Sequence, residues 1–271
     1  MSSVPPAVSE AVLRCGYGVP GFAAQYDANR PRPPAVLLDL LPRIAAVERP
    51  EMVVDLGSGT GLSTRFWADR AASVVGVEPI AEMRDYAERA TSAANVRYVA
   101  GASSATGLPD ACADIVTCAQ SLQWMEPDST FAEVGRILRP GGVFGAYEYF
   151  NLATGSWEAD AAFFEARRNV GRLREELGLD AGRTLWPVSE QRLEASGCFR
   201  YTAETSVHGV EEGSGARLVG FLLSEGSVTT LLERVPEEAF GLDRLREIAA
   251  QTLGDEPTPW HIGYHLWFGV K

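Results

Sequence analysis

Three acidic residues and one glycine run carry the strongest chemical signal in this sequence. Asp55 stands two residues before Gly57, and Gly57, Gly59 and Gly61 alternate with Ser58 and Thr60. Val53 and Val54 lead into the run, and a helical pattern begins at about Thr60. Such a stretch reads as a buried strand turning sharply into a helix, with glycines where the backbone bends and a ligand comes close. Open α/β sheets bind ligands at that end of their strands. A dinucleotide turn carries G-x-G-x-x-G; here the spacing is G-x-G-x-G. A carboxylate at Asp55 would repel a pyrophosphate but suits a cation or an ammonium group. The second acidic residue, Glu78, closes another apolar run seventeen positions after Gly61. At that place in an α/β sheet a carboxylate accepts hydrogen bonds from ribose hydroxyls. The third, Glu148, ends a later apolar run and is the candidate general base.

The elements that must position these groups are legible in the periodicity. Strands are expected at Met52 to Leu56, Ser73 to Glu78, Asn95 to Ala100, Asp114 to Ala119, Val143 to Tyr149, Cys198 to Val210 and Pro259 to Val270. Helices are expected at Thr60 to Ala71, Ile80 to Ala93, Pro127 to Leu138, Trp157 to Leu177, Ala216 to Arg234 and Leu242 to Leu253. Val36, Leu37, Leu40, Leu41, Ile44 and Val47 recur with the spacing of one more helix, ahead of the first strand. Trp67 falls on the apolar side of the first crossover helix, and Cys118 lies inside an apolar strand; both read as core.

Four segments occur in order: D-x-G-S-G-T-G at 55–61, V-x-G-V-E-P at 74–79, A-Q-S-L-x-W at 119–124 and L-R-P-G-G-V at 138–143. Over about residues 20–150 the chain resembles the class I S-adenosylmethionine-dependent methyltransferases, in particular their ubiquinone-biosynthesis and trans-aconitate branch. The resemblance implies a Rossmann-like sheet of seven mostly parallel strands in the order 3-2-1-4-5-7-6, with a helical cap insertion. It also implies S-adenosyl-L-methionine as cofactor. Asp55, Gly57, Ser58, Gly59, Thr60 and Gly61 would form the first binding loop, and Glu78 would hold the ribose. Pro79, Met83 and Gln120 would complete the cofactor wall. The Y-x-x-x-R-P segment would bring Tyr26 and Arg30 to the methionine end. The loop at 101–109 is similar to the D-A-E-x-L-P adenine loop of the family, with Ser104, Ala105 and Thr106 in place of its acidic core. Members often carry histidine where Gln123 stands, so this chain lacks that base.

Composition excludes other classes. With net charge −12 and no lysine or arginine cluster, the chain is not expected to bind nucleic acid. No apolar run reaches the ~20 residues of a membrane helix, and Met1 to Pro6 is not a secretory leader; a cytoplasmic protein with no membrane partner is expected. Cys15, Cys112, Cys118 and Cys198 have no disulfide or zinc spacing, and no metal is expected. His261 and His265 lie four apart in a strand with no third ligand near them.

The expected organisation is an N-terminal arm at 1–34, a cofactor core at 35–150, a helical cap at 151–190 and completion of the sheet at 191–271. The expected function is methyl transfer to a small molecule by a monomer or homodimer. Glu148 would be the base, and Trp124, Tyr149, Phe150 and Phe163 the substrate wall. The alternatives are a protein that binds S-adenosylmethionine without methylating and a nicotinamide-dependent dehydrogenase. Asp55 and the glycine spacing speak against the latter.

Overall fold

The computed structural model describes residues 17, 19, 21–179 and 187–271. Cys15 and most of the 1–20 segment lie outside them. Seven strands form one sheet, β1 Met52–Leu56, β2 Ser73–Val77, β3 Val96–Val99, β4 Ala113–Ala119, β5 Leu138–Ala153, β6 Tyr201–Gly213 and β7 Thr258–Val270. Their order is 3-2-1-4-5-7-6, as expected. The central strands pair in parallel, Val54 beside Val75 and Val116, and β7 runs antiparallel between β5 and β6. The parallel strands are buried on both faces, which is why they read as unbroken β-branched runs.

Helices cover both faces. α1 Phe22–Asn29 belongs to the arm, α2 Leu37–Ile44 precedes β1, and α3 Leu62–Phe66, α4 Ala81–Ala90 and α5 Pro127–Ile137 are crossovers. α3 is shorter than the expected Thr60 to Ala71, because three-residue turns at Ala68 and Arg70 replace its last half. β5 is longer at both ends than the expected Val143 to Tyr149. The Arg139-Pro140-Gly141-Gly142 run enters the strand, where Gly141 donates to the Lys271 carbonyl at 2.8 Å.

Successive residues of β5 enter different cores. Val143 and Tyr147 join Trp67, Leu41 and the cap, whereas Phe144 and Ala146 join Phe131, Leu138 and Cys118. The cap has two sources. α6 Trp157–Glu176 follows β5, and α8 Gly215–Leu223, α9 Gly226–Leu232 and α10 Leu242–Thr252 lie between β6 and β7. Phe163, Val170, Phe221, Val228 and Leu245 share one core, so helices far apart in sequence form a single layer. α7 Glu190–Ala195 packs Leu193 on the opposite side. The contacts that clamp the arm to the sheet domain include the Arg65–Asp27 pair at 2.6 Å and the Gly21 amide donating to Glu82 at 3.0 Å.

Candidate active site

The β1–α3 turn forms the floor of the site. Gly57 has φ of 65°, and a Cβ there would lie 2.8 Å from the Ser121 side chain, so only glycine fits between the two loops. Gly61 does something else. A Cβ at Gly61 would overlap the Tyr98 hydroxyl, so this glycine lets α3 sit down on the sheet. Sequence spacing placed Gly61 on the ligand; the structure makes it a packing position.

The first two carboxylates are held before any ligand arrives. One Glu78 oxygen accepts from the Gly59 amide at 2.8 Å, the other from the Ile80 amide at 2.8 Å. Each oxygen can accept a further hydrogen bond, and Glu78 lines a cavity of about 380 Å³ with Pro79, Met83, Ser103, Ser104 and Trp124. Burial pushes the Glu78 carboxyl up to about 7 against those two amide bonds. Asp55 accepts from the Thr64 hydroxyl at 2.7 Å and the Thr117 hydroxyl at 2.9 Å, and burial raises it to about 6.

Asp55 also lines a narrow cleft with Arg30, Ser58, Thr60, Gln120 and Tyr147. Arg30 lies buried over the Tyr26 ring, 4.8 Å from its centroid. It donates to the Tyr149 hydroxyl and, at 2.9 Å, to the Ser224 carbonyl. A third chamber of about 250 Å³ opens on the cap side, lined by Gln123, Trp124, Glu148, Tyr149, Arg167, Glu225 and Ser227 among others. Tyr26 and Gln120 line all three spaces. Gln120 occupies that junction with φ of 56°, a left-handed conformation that non-glycine residues adopt at a cost of about 1–3 kcal/mol.

Glu148 is half-buried, and its Oε1 has no hydrogen-bond partner among the described residues. Burial alone raises its carboxyl above the ordinary range. Five other unpartnered buried side-chain atoms gather at the same place, whereas the indole nitrogens of Trp67 and Trp260 lie in the core. Ser58 Oγ, Thr60 Oγ1, Arg30 Nε, Gln120 Nε2 and Gln123 Oε1 all belong to residues lining these spaces. Buried polar atoms without partners are rare in folded proteins, so this clustering marks a place prepared for ligands.

Four further expectations are corrected. Ala105 is exposed and off the cavity walls, where Ala102, Ser103 and Ser104 stand instead. Thr106 is buried with its hydroxyl donating to Glu133 at 2.6 Å, so it braces α5. Phe150 is 51% exposed and stacks on His265 with ring centroids 4.1 Å apart, on the sheet surface outside the chamber. Phe163 is 1% exposed and packs against Phe221 and Phe164 in the cap core. Trp124 and Tyr149 do face the third chamber. The cap meets it through Arg167 and Glu225, an ion pair at 2.8 Å that sequence reasoning missed. Arg167-Arg168 reads as a solvated helix face, and Glu225 as a loop charge; only the packing of α6 on α9 joins them. His261 meets His208 across the strands, its Nδ1 lying 3.1 Å from His208 Nε2.

Known proteins share this architecture. A family described as "methyltransferase domain" matches residues 54–146. An uncharacterized methyltransferase of Mycobacterium tuberculosis is 40% identical over 121 residues, covering 44% of this chain and 47% of that protein. A malonyl-[acyl-carrier protein] O-methyltransferase of Pectobacterium atrosepticum is 36% identical over 121 residues, 44% of each chain. The chain thus spans about half the length of the curated relatives it matches. A solved type II methyltransferase from Anaeromyxobacter dehalogenans superimposes with a TM-score of 0.62 at 24% identity, covering 89% of this chain and 97% of that one. The matched domain holds both Asp55 and Glu78, and the sheet around it has the order that the motifs imply. Residues 54–146 are thus similar to a methyltransferase domain, and the chain shares the fold of a solved methyltransferase.

Proposed function

We propose that this protein transfers a methyl group from S-adenosylmethionine to a small-molecule acceptor. The observation that carries the reading is the Glu78 carboxylate. Two backbone amides pin it at the cavity edge, and each oxygen retains a lone pair for a hydroxyl donor. NAD would bring a pyrophosphate against Asp55, whereas a methionine amino group meets a carboxylate there.

The residues fit the cofactor. Glu78 would hold the ribose. Pro79, Met83, Ser103 and Ser104 would wall the base. Asp55, Arg30 and the free hydroxyls of Ser58 and Thr60 would hold the charged amino-acid end. When bound, S-adenosylmethionine supplies a methyl group activated by a sulfonium. The chain's part in the reaction is to bring the acceptor to that group and remove its proton. Gln120 and Tyr26 stand where cofactor and acceptor spaces meet. Glu148 lines the acceptor space with an unpartnered oxygen, and burial raises its carboxyl above the ordinary range, which favours a proton-accepting role. Holding the partners about 3–3.5 Å apart supplies much of the rate. A chamber of about 250 Å³ admits a small acceptor.

Calorimetry with S-adenosylhomocysteine and with NAD tests the cofactor assignment. Binding of the first and not the second is expected; the reverse would end the proposal.

A further inference from the structure

A further groove of about 430 Å³ lies on the cap, outside the chamber that Glu148 lines. Arg167, Arg168 and Arg174 line it from α6, and Glu225 and Ser227 from the start of α9. Arg167, Glu225 and Ser227 line the chamber of about 250 Å³ as well, so groove and chamber share a wall. Three arginines against one glutamate give the groove a formal charge of +2, in a chain whose net charge is −12.

The three arginines are held differently. Arg174 is buried and donates to the Ser227 carbonyl at 2.9 Å and to the Thr230 hydroxyl, which ties α6 to α9. Arg167 Nε lies 2.8 Å from Glu225 Oε1, yet that oxygen receives no aligned hydrogen bond. Arg168 is exposed and has no ion-pair or hydrogen-bond partner among the described residues. Two carboxylates of the same helix, Glu165 and Glu176, pair with Arg244 and Arg172 instead. Gly171 lies on the same groove wall, one turn from Arg167 and Arg168. Glycine is among the least favourable residues in a helix interior. Neither packing nor backbone asks for it here: a Cβ would meet nothing within 4 Å, and the residue has no positive φ. What the missing side chain does provide is open space between the arginines.

Resting on the methyltransferase reading, we propose that the acceptor carries a phosphate monoester, which this groove holds through Arg168 and Arg167 while the reacting end lies in the chamber. Charge separates the candidates. A phosphate monoester carries about −1.5 to −2 at neutral pH, which balances the groove. A carboxylate would balance half of it, and an alcohol none. The planar guanidinium fork fits phosphate oxygens two at a time. The shared wall at Arg167 lets one molecule reach from the groove to the aromatic side of the chamber at Trp124 and Tyr26.

The test uses the full chain saturated with S-adenosylhomocysteine at pH 8 and low salt. Methyl phosphate, hexyl phosphate, hexanoate and 1-hexanol are titrated and followed by ligand-observed NMR. Hexyl phosphate should bind about tenfold tighter than hexanoate or 1-hexanol. It should also bind about tenfold tighter than methyl phosphate, because its chain enters the chamber. Arg168→Gln should weaken hexyl phosphate about fivefold. Gly171→Leu should weaken it at least as much by filling the groove, with Tm unchanged or higher. Both variants should keep S-adenosylhomocysteine affinity. No binding of hexyl phosphate, hexanoate or 1-hexanol binding as tightly, or wild-type affinity in either variant would overturn the proposal. Equal binding of methyl and hexyl phosphate would overturn it too, because the groove would then be an anion site apart from the acceptor. Failure of S-adenosylhomocysteine itself to bind would instead remove the methyltransferase reading.

Discussion

Asp55 and Glu78 on the cofactor side and Glu148 on the cap side are held on opposite plans. Around β1, β2 and β4 each carboxylate already has partners: Glu78 has two backbone amides, and Asp55 two threonine hydroxyls. On the cap side Glu148 and Gln123 have atoms with no partner. The first plan fixes a side chain before binding and limits what reorganisation costs. The second leaves buried groups that only a matching ligand satisfies, and a wrong ligand leaves them unpaired at about 1–3 kcal/mol each. Tight, general recognition belongs with the first plan and discrimination with the second.

The largest effect expected from breaking this division is structural. Phe163 lies in the cap core against Phe221, so Phe163→Ala should cost about 3–5 kcal/mol of stability. Its specific activity, measured below the melting transition, should stay near wild type. A selective loss of turnover with unchanged Tm would return Phe163 to the substrate wall.

Next is Glu148→Gln, which keeps the shape and removes the base. A fall of about 100-fold in kcat is expected, with cofactor affinity preserved. Burial raises the Glu148 carboxyl, so the wild-type rate should climb with pH as the base ionises above the ordinary carboxylate range. The variant should lack that limb. A pH–rate profile of the same shape in both proteins would exclude Glu148 as the base.

Glu78→Ala is expected to weaken S-adenosylhomocysteine binding by about 1.5–3 kcal/mol, the scale of hydrogen bonds to a charged acceptor. A linkage effect accompanies it. The folded carboxyl stands near 7, above its unfolded value of about 4.3, so the native state binds the extra proton between these values. Stability of the ligand-free protein from this group is therefore present below about pH 4 and is lost as pH rises through 7. Tm between pH 5 and pH 8 should fall more steeply in the wild type than in Glu78→Ala. Parallel profiles would show that Glu78 is not buried as described.

The sheet, its order and the carboxylates of the cofactor half were legible because local pattern sets them. A strand, a glycine turn and an acid at the next strand end all lie within 25 residues, from Val54 to Glu78. The cap wall was not legible. Arg167 and Glu225 meet only through tertiary packing, and an apolar helical stripe containing Phe163 does not say whether a core or a cavity covers it. Gly61 and Thr106 were misread for a related reason. Each sits inside a binding motif, yet the partner that decides its role, Tyr98 or Glu133, comes from another element.

The smallest effect expected concerns two neighbours on β5. Strand alternation sends Tyr149 to the cap side, where its ring meets Phe221 and its hydroxyl meets Arg30, and leaves Phe150 on the outer surface. An irregularity in the β5–β7 pairing between Tyr149 and Asn151 lets the Phe150 ring lie on His265 and over Gly263. An exposed stacked pair contributes about 0.5–1 kcal/mol, so Phe150→Ala should lower stability by no more than that and leave kcat and KM unchanged. Tyr149→Phe keeps the ring and removes only the hydroxyl that receives Arg30. It should loosen S-adenosylhomocysteine binding several-fold while Tm barely moves, because Arg30 keeps the Ser224 carbonyl and the Tyr26 ring. The two variants measured side by side place the wall of the site to within one residue. A kinetic defect in Phe150→Ala larger than that in Tyr149→Phe would mean that the acceptor reaches the outer face of the sheet, against the enclosed chamber described above.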